Sequence, residues 1–255
     1  MNVGLVIHVP HASTIIPVEY RRSILLSEDA IKEEIVWATD AYCDELFNMS
    51  DGECVVAEYS RLACDVERFR DDDMEPDAKN GNGLFYTRTQ RGVKLRDHNP
   101  ILRDKALTEI YDIHHQRLTE TVDKVLSEYG LCLIIDGHSF CDDPCVGNNL
   151  PDFCIGTDRY HTPNELTATA KKFLESLGCS VALNYPYSGS IVPAKHYLND
   201  KRVMSLMIEV NKRRYLHDGT FDKSAYFDSV KLICSKTIET IKQVAQERTK
   251  QSKGG

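Results

Sequence analysis

Several features that would assign a chain to a special class are missing from this sequence of 255 residues. It contains no run of about 18 apolar residues, which argues against a membrane-spanning helix, and no CxxC pair among its nine cysteines. Net positive charge is missing too. The formal net charge is -8, whereas binding to a phosphate backbone requires clustered Lys and Arg. We therefore expect a protein that binds neither nucleic acid nor membrane.

The first residues, MNVG, lack the basic and apolar regions of a secretion signal. An odd number of cysteines also fits a disulfide framework poorly. From these two absences we expect a cytoplasmic protein with free thiols. Cys141 and Cys145 are close enough in sequence to bind a metal or to pair, but no second pair with structural-zinc spacing follows them.

Two apolar segments that end in polar residues carry the strongest structural signal. Residues 131–139, LCLIIDGHS, begin as a strand buried on both faces and end with Asp136 and His138. Residues 3–11 repeat this order and end with His11. The carboxyl ends of parallel strands share one edge of an α/β sheet, and ligands bind there. We therefore expect both histidines to lie just beyond their strands, where they can converge on one metal.

Strand-like and helix-like segments alternate along the chain. Strands are predicted at residues 3–9, 53–58, 131–135, 180–183 and 203–210. The spacing of apolar residues predicts helices over residues 28–49, 104–129, 163–177 and 223–246. This order predicts an α/β fold, with a mainly parallel (mixed) central sheet flanked by helices. We expect one domain over residues 1–250, a frayed tail at 251–255, and two long, functional loops at 70–96 and 142–151.

A carboxylate within an apolar strand is the second chemical signal. Glu209 interrupts the strand predicted at 203–210, and a buried carboxylate is costly unless it is paired or used in chemistry. Two histidines and one carboxylate form a common catalytic zinc set, and a further carboxylate can act as general base. Asp40, predicted on the inner side of the first long helix, could reach the strand edge as a third ligand. Asp65 and Glu67 are the alternatives.

Three arginines could bind a substrate carboxylate through two hydrogen bonds: Arg61, Arg68 and Arg213, which precedes Arg214. Simpler roles also fit these residues. His8 within a strand is typical of a packed or hydrogen-bonded core histidine, and Glu209 could be an ion-pair partner of Arg68. On the residues alone, a metal hydrolase is only modestly favoured over a metal-free α/β enzyme.

Seven motifs, taken in their order and spacing, resemble the N-formylglutamate amidohydrolase family over roughly residues 5–218. They are residues 7–13 (IHVPHAS), 39–47 (TDAYCDELF), 60–69 (SRLACDVERF), 81–86 (GNGLFY), 134–139 (IIDGHS), 184–189 (NYPYSG) and 207–216 (MIEVNKRRYL). The resemblance implies a fold like that of zinc exopeptidases and the phosphorylase/hydrolase-like proteins. It also implies a zinc-dependent amidase that acts in histidine degradation.

The resemblance implies cleavage of a small molecule, N-formyl-L-glutamate or a similar N-acyl amino acid, to formate and glutamate by a metal-activated water. Zn²⁺ is the expected cofactor, although such ligands also accept other divalent metals. By position, His11 and His138 resemble zinc ligands, with Asp40 as the third. Glu209 resembles the general base, and Arg68 the arginine that binds substrate or polarises its carbonyl. The other substrate-binding residues are expected to be Arg61, Tyr187, Ser188, Gly189 and Arg213.

Two places depart from the family pattern. Ile113, His114 and His115 stand where many relatives have a proline, an aromatic residue and a histidine, and Ser190 replaces a usual glycine. His114 is expected to be structural, whereas His115 is a candidate for the site. These changes leave the acyl group and the amino acid preference open. A peptidoglycan or peptide amidase of related fold and a non-catalytic binding protein are the alternatives, and the sequence does not fix the oligomeric state.

Overall fold

A computed structural model of the protein describes residues 2–142 and 149–251. The strands are β1 (Asn2–Val9), β2 (Gly52–Val56), β3 (Gly130–Phe140), β4 (Phe153–Gly156), β5 (Val181–Leu183) and β6 (Val203–Asn211). The α-helices are α1 (Val18–Arg21), α2 (Glu28–Ala38), α3 (Cys43–Leu46), α4 (Pro100–Ala106), α5 (Asp112–Tyr129), α6 (Asn164–Ser176) and α7 (Phe227–Gln251). Cys145, most of the predicted loop 142–151 and residues 252–255 of the predicted tail lie outside the described residues.

The six strands form one sheet in the order β2-β1-β3-β6-β4-β5. β1 pairs with β3, β3 with β6, and β4 with β5 in parallel, whereas β4 and β6 are antiparallel. The predicted class, a mainly parallel mixed sheet flanked by helices, is confirmed. β4 was not predicted, because it is short and its antiparallel position on β6 is set by a distant strand. Within the described ranges, none of the helices is long and apolar enough to cross a membrane.

The internal contacts of the chain divide it into two units. The sheet unit comprises Met1–Val9, Tyr42–Val55 and Leu118–Gly255, and the loop unit comprises Pro10–Ala41 and Val56–Arg117. This division does not test the expectation of a single domain over residues 1–250, which stays a prediction.

One face of the sheet unit changes character along its strands. Val6 and Ile134 lie in an apolar cluster with Leu118 of α5. Two residues further along β1 and β3, the same face carries His8 and Asp136, because alternate side chains of a strand share a face. The polar side chains of this face therefore begin two residues beyond the apolar area that α5 covers.

The opposite face of the sheet unit is covered by α7, which contacts β1 and β3. Gly137 belongs to this face, and a Cβ atom there would lie 2.6 Å from the ring of Phe47. Only glycine leaves room for a ring this close to the strand. Gly137 therefore lets β3 continue from Asp136 to His138 without a shift of its backbone.

β3 is longer than predicted. Its ladder with β6 continues to the pair Phe140–Asn211, so Asp136 and His138 lie inside the strand. The expectation that these residues follow the end of the strand was wrong. The reason is that β6 extends as far as β3 and supplies ladder hydrogen bonds to residues 136–140. Without this partner, the Asp-Gly sequence would favour a turn.

The first predicted long helix, residues 28–49, is in fact two helices. α2 begins after Ser27, whose hydroxyl accepts a hydrogen bond from the Ala30 amide at 3.3 Å, and it ends at Ala38. Thr39 is extended, and the Asp40 amide donates to the His11 carbonyl at 2.9 Å. Asp40 therefore lies in the loop after the helix, and its predicted place on the inner face of a helix was wrong.

The loop unit is built around two apolar clusters. One contains Val66 and Leu84, and the other contains Leu62 and Tyr86. The predicted loop 70–96 contains turns, a bridge between Arg88 and Lys94 and a single 3-10 turn, with no α-helix or strand. The long helix predicted at 104–129 begins earlier, at Pro100, and passes through a π-helical turn at Leu107–Tyr111.

Candidate active site

Each unit carries one cluster of histidine and carboxylate side chains. In the sheet unit, His8 is the register partner of Asp136, and His138 is the register partner of Glu209. All four side chains are buried. Since partners across a parallel ladder and alternate residues along a strand share a face, the four groups form two adjacent rows on one face of the sheet. The structure thus brings two of the predicted site residues, His138 and Glu209, to neighbouring strands.

Asp136 is the centre of this first cluster. Its Oδ1 is 2.8 Å from Nδ1 of His8 and 3.2 Å from Nε2 of His138, and its Oδ2 accepts a hydrogen bond from the Ile191 amide at 3.0 Å. Burial alone would raise the pKa of Asp136, but His138 and His8 hold it well below its usual value. His8 is therefore a hydrogen-bonded core histidine.

Cys154 extends the second row. It is the antiparallel partner of Glu209, and its thiol lies 3.2 Å from the carbonyl of Tyr187. Burial raises the pKa of the Cys154 thiol, and the charge of Glu209 raises it further. The thiol is thus protonated at neutral pH and links the strand that carries Cys154 to the segment that contains Tyr187.

That segment, residues 184–191, carries three of the predicted substrate-binding residues. It is attached through Asn184, whose side-chain oxygen accepts from the Thr157 amide at 2.9 Å. A Cβ atom on Gly156 would lie only 2.4 Å from the carbonyl oxygen of Gly189, so the segment runs directly against β4. Tyr187 and Ser188 are exposed. The predicted residues Tyr187, Ser188 and Gly189 therefore belong to a segment that lies beside β4, the strand that pairs with Glu209 of β6.

Asp65 is the centre of the cluster in the loop unit. It is fully buried, and its Oδ1 lies 2.8 Å from Nε2 of His11 and accepts from the Glu67 amide at 3.1 Å. Its Oδ2 accepts from Nε and NH2 of Arg61, at 3.1 and 2.8 Å, and from the hydroxyl of Tyr86. One carboxylate thus holds four other residues in place.

The charges in the loop unit oppose the cost of burial. Burial raises the pKa of Asp65, but Arg61 and His11 outweigh it and hold the pKa well below its usual value. Burial and Arg61 lower the pKa of His11, but the charge of Asp65 and contacts with Asp40 and Asp65 outweigh both and raise it. Burial raises the pKa of Tyr86 to about 12. Asp65 is therefore an anion that accepts hydrogen bonds from protonated neighbours.

Two carboxylates lie near the other ring nitrogen of His11. Nδ1 of His11 is 3.6 Å from Oδ2 of Asp40 and 3.9 Å from Oε2 of Glu67. The structure therefore brings the chosen third ligand and both of its alternatives close to His11, with Asp65 on the side of Nε2. The side chain of Asp40 is 6% exposed and that of Glu67 is 19% exposed, so Glu67 is the more accessible of the two.

Arg68 faces several acids of the loop unit. Its NH1 lies 2.9 Å from Oδ2 of Asp77 and 3.5 Å from Oε1 of Glu75, and its Nε lies 3.5 Å from Asp65. The Asp77 side chain is half exposed, at 49%. Of these pairs, the one with Asp77 is the easiest for an incoming carboxylate to replace, because an exposed ion pair contributes little.

Arg213 is held by acids of the sheet unit. Its NH1 contacts both oxygens of Asp142, at 2.7 and 2.8 Å, and its NH2 donates to Asp152 and to the Leu150 carbonyl, at 3.1 and 2.8 Å. These contacts pair Arg213 with two neighbouring acids of its own unit. Its role in binding substrate stays a prediction, as does that of Arg61.

His115 makes a structural contact in the loop unit, since its Nε2 donates to the Val66 carbonyl at 2.7 Å. His114 is buried, as expected for a structural residue. The eight cysteines of the described ranges are all free thiols. Cys141 is among them, and its suggested pairing with Cys145 concerns a residue outside those ranges.

The two clusters have the chemistry of a metal site. His8, His11, Glu67, Asp136 and His138 are side chains that could hold a metal ion. Imidazole nitrogen and carboxylate oxygen are the ligands of many catalytic zinc sites.

Sequence reasoning missed part of this arrangement. Cys154 and the Ile191 amide had no signal, because β4 was not predicted and a backbone amide carries no residue-specific pattern. Asp65 was considered only as a ligand, and Tyr86 only as part of a motif. The sequence did indicate a charged cluster in the run of Arg61, Asp65, Glu67 and Arg68. Only the contacts show that Asp65 is its central residue.

Comparison with known proteins identifies the class of the chain. It is 24% identical over 235 residues to an N-formylglutamate deformylase of Pseudomonas putida, covering 85% of this chain and 83% of that protein. For the deformylase of Pseudomonas aeruginosa the identity is 22% over 234 residues, covering 85% and 84%. With these relatives and its α/β sheet, the chain is a hydrolase that acts on amide bonds.

The family follows from a model described as N-formylglutamate amidohydrolase, which matches residues 3–216, more than half of the chain. The chain belongs to the N-formylglutamate amidohydrolase family. Its fold resembles the crystal structure of N-formylglutamate amidohydrolase from Ralstonia eutropha JMP134, with a TM-score of 0.83, 21% identity and coverage of 97% and 95% of the two chains. It also resembles gene product Atu2144 from Agrobacterium tumefaciens, with a TM-score of 0.65, 19% identity and coverage of 94% and 91%.

Proposed function

We propose that this protein is a metal-dependent amidase that hydrolyses N-formyl-L-glutamate, or a similar N-acyl amino acid, to formate and the free amino acid. The observation that carries the proposal is the pairing of His138 with Glu209 on adjacent strands in a member of this family. A candidate ligand and a candidate base thus leave the same face of the sheet, one strand apart. Zn²⁺ is the proposed metal, and cytoplasmic histidine degradation is the proposed context.

The ligand chemistry fits a divalent metal. We assign His11, His138 and Glu67 as the ligands, with Glu67 in place of our sequence-based choice, Asp40. Glu67 is among the side chains that could hold a metal ion, and its backbone amide is fixed by the same Asp65 that binds His11. His11 lies three residues after His8, so their Cα atoms are at most about 11 Å apart.

When bound, the metal supplies Lewis-acid polarisation of the amide carbonyl and lowers the pKa of water. Glu209 accepts a proton from the attacking water and then delivers it to the departing nitrogen, so that one carboxylate acts first as base and then as acid. Glu209 is buried between His138 on β3 and Cys154 on β4, its two register partners.

Recognition of an acidic amino acid is assigned to Arg68. Its pair with the half-exposed Asp77 can give way to a substrate carboxylate, because a planar guanidinium binds carboxylates through two hydrogen bonds. Arg61 donates to the buried Asp65 through two nitrogens, which gives it a second task in holding that carboxylate. Tyr187, Ser188 and Gly189 are assigned to the wall of the pocket.

The test is the release of formate and glutamate from N-formyl-L-glutamate by zinc-loaded protein. We expect turnover of roughly 1 per second or faster. N-acetyl-L-glutamate tests the acyl group, and N-formyl-L-leucine tests the acidic side chain. Absence of turnover on all three substrates with metal bound would contradict the proposed reaction.

A further inference from the structure

Each unit contains one histidine whose Nε2 atom faces a buried aspartate. Nε2 of His11 lies 2.8 Å from Oδ1 of Asp65, and Nε2 of His138 lies 3.2 Å from Oδ1 of Asp136. Asp65 and Asp136 are 0% and 1% exposed. The two contacts are found independently in separate units, and both use the same ring nitrogen.

The hydrogen bonds around Asp65 fix the direction of the first contact. Arg61, the Tyr86 hydroxyl and the Glu67 amide all donate to this carboxylate. A group that accepts from a guanidinium, a hydroxyl and an amide at once is an ionised carboxylate with no proton to give. Nε2 of His11 must therefore be the donor, and it carries the hydrogen.

Asp136 is placed in the same way. Its Oδ2 accepts from the Ile191 amide, while Oδ1 faces both His8 and His138. An ionised carboxylate can only accept hydrogen bonds, and each of its oxygens has two lone pairs, so Oδ1 can accept from both rings at once. Nε2 of His138 is therefore a donor as well. In a neutral imidazole, a hydrogen on Nε2 leaves the lone pair on Nδ1.

We propose that Asp65 and Asp136 are a matched pair of positioning residues that fix His11 and His138 as Nε2–H tautomers, so that both offer Nδ1 to the metal. This inference rests on the proposed metal-dependent function. A carboxylate behind a metal-binding histidine fixes the tautomer and raises the basicity of the ligand atom. Asp136 also holds Ile191, so the same carboxylate ties one ligand to the segment 184–191.

Two other histidines of the sheet unit supply references. His161 has the opposite arrangement, because its Nδ1 lies 2.8 Å from the Val203 carbonyl and its Nε2 accepts from the Leu198 amide at 3.0 Å. It is the internal standard for an Nδ1–H ring. His196 lies 2.9 Å from Asp123 through Nε2, which makes Asp123→Asn a matched control outside the proposed site.

The first experiment records ¹⁵N–¹H correlations through two and three bonds in the histidine rings of the metal-free protein, at a pH where the rings are neutral. We expect Nε2–H patterns for His11 and His138 and an Nδ1–H pattern for His161. An Nδ1–H pattern for either of the first two would overturn the inference. This experiment uses the unsubstituted protein, so it does not depend on whether a variant folds.

The second experiment measures zinc affinity by competition with a chelating dye. An asparagine at position 65 or 136 can turn an NH2 group toward the ring and so favour the Nδ1–H tautomer. We expect Asp65→Asn and Asp136→Asn to weaken zinc binding by about 10- to 100-fold, and Asp123→Asn to leave it unchanged. Folded variants that bind zinc as tightly as the original protein would overturn the inference. Neither experiment uses turnover, so failure of the proposed reaction would be seen separately.

Discussion

His138 and Glu209 are register partners on neighbouring parallel strands, and both side chains are buried on the same face of the sheet. A charged carboxylate in such a place is expensive unless it is compensated or used. The pairing brings a group that binds metals and a group that moves protons to adjacent strands. The backbone hydrogen bonds between β3 and β6 set the positions of both residues, so these positions depend little on the conformation of surface loops.

Glu209→Gln keeps the shape of the side chain and removes its ability to carry a proton. We expect kcat for N-formyl-L-glutamate to fall by about 10²- to 10⁴-fold while zinc binding persists. Steady-state kinetics and metal analysis of the same preparation provide the check. Glu45→Gln, which removes only a surface pair with Lys223, is the control and should retain full activity. Full activity of metal-loaded Glu209→Gln would exclude this residue as the base.

The third ligand can be decided by comparing Glu67→Gln with Asp40→Asn. Both carboxylates lie within 4 Å of Nδ1 of His11, at 3.9 and 3.6 Å. We expect Glu67→Gln to lose zinc on dialysis and Asp40→Asn to keep one ion per chain, because a carboxamide is a poor replacement for a carboxylate ligand. Metal content after dialysis is the measurement. The opposite order would restore Asp40 as the ligand.

Removal of the metal should abolish activity and lower stability. A ligand that binds only the folded protein stabilises it by about 2.7 kcal/mol when its concentration is 100 times the dissociation constant. We therefore expect the thermal midpoint to fall after treatment with a chelator and to rise again with zinc, manganese or cobalt. Hydrolysis that continues unchanged in protein shown to be metal-free would rule out the proposed mechanism.

Gly156→Ala should disturb the wall of the pocket. Its Cβ would lie 2.3 Å from Cε of Met207 and 2.4 Å from the carbonyl oxygen of Gly189. The methionine can move, but the backbone of Gly189 cannot move alone. We expect a loss of about 1–3 kcal/mol of stability and a raised KM, measured by denaturant unfolding and kinetics. Gly92→Ala is the control: it has open space around it but a φ of +79°, so it should lower stability through backbone strain and leave KM unchanged. An unaltered KM in both variants would show that this wall does not line the pocket.

The pair of Asp200 and Arg202 should make a small, pH-dependent contribution to stability. Hydrogen bonds from Arg202 lower the pKa of Asp200 to about 2, against about 3.9 in an unfolded chain. The contribution is therefore complete above about pH 5 and is lost as the pH falls toward 2. Arg202 is 56% exposed, so we expect at most about 1 kcal/mol.

The measurement is the difference in free energy of unfolding between the original protein and Asp200→Asn. It should shrink between about pH 6 and about pH 3. A difference that stays constant over this range would show that the charge of Asp200 is not the cause.

The sequence predicted the central strands and the residues on them because both are local properties. Apolar runs indicate β1, β3 and β6, and a carboxylate inside such a run draws attention to Glu209. The length of β3 was not predictable, because it depends on how far β6 pairs with it. The end of α2 depends on a bond between the Asp40 amide and the His11 carbonyl, and no local pattern reports it.

The role of Asp65 was also out of reach. Its four partners come from residues 11, 61, 67 and 86, and only folding brings them to one carboxylate. The seven motifs did contain all five of these residues, so the family resemblance pointed to the right parts of the chain. What it could not supply is which of several neighbouring acids is the centre and which atom of each histidine it holds.

The order of the sheet has a consequence for synthesis of the chain. β1 lies between β2 and β3, yet residues 10–129 are made before β3 begins. At about 5–20 residues per second, the apolar strand β1 waits on the order of ten seconds for its parallel partner, and β3 then waits for β6. A newly made chain thus leaves the β3-facing edge of β1 without its partner until more than half of the chain has been made.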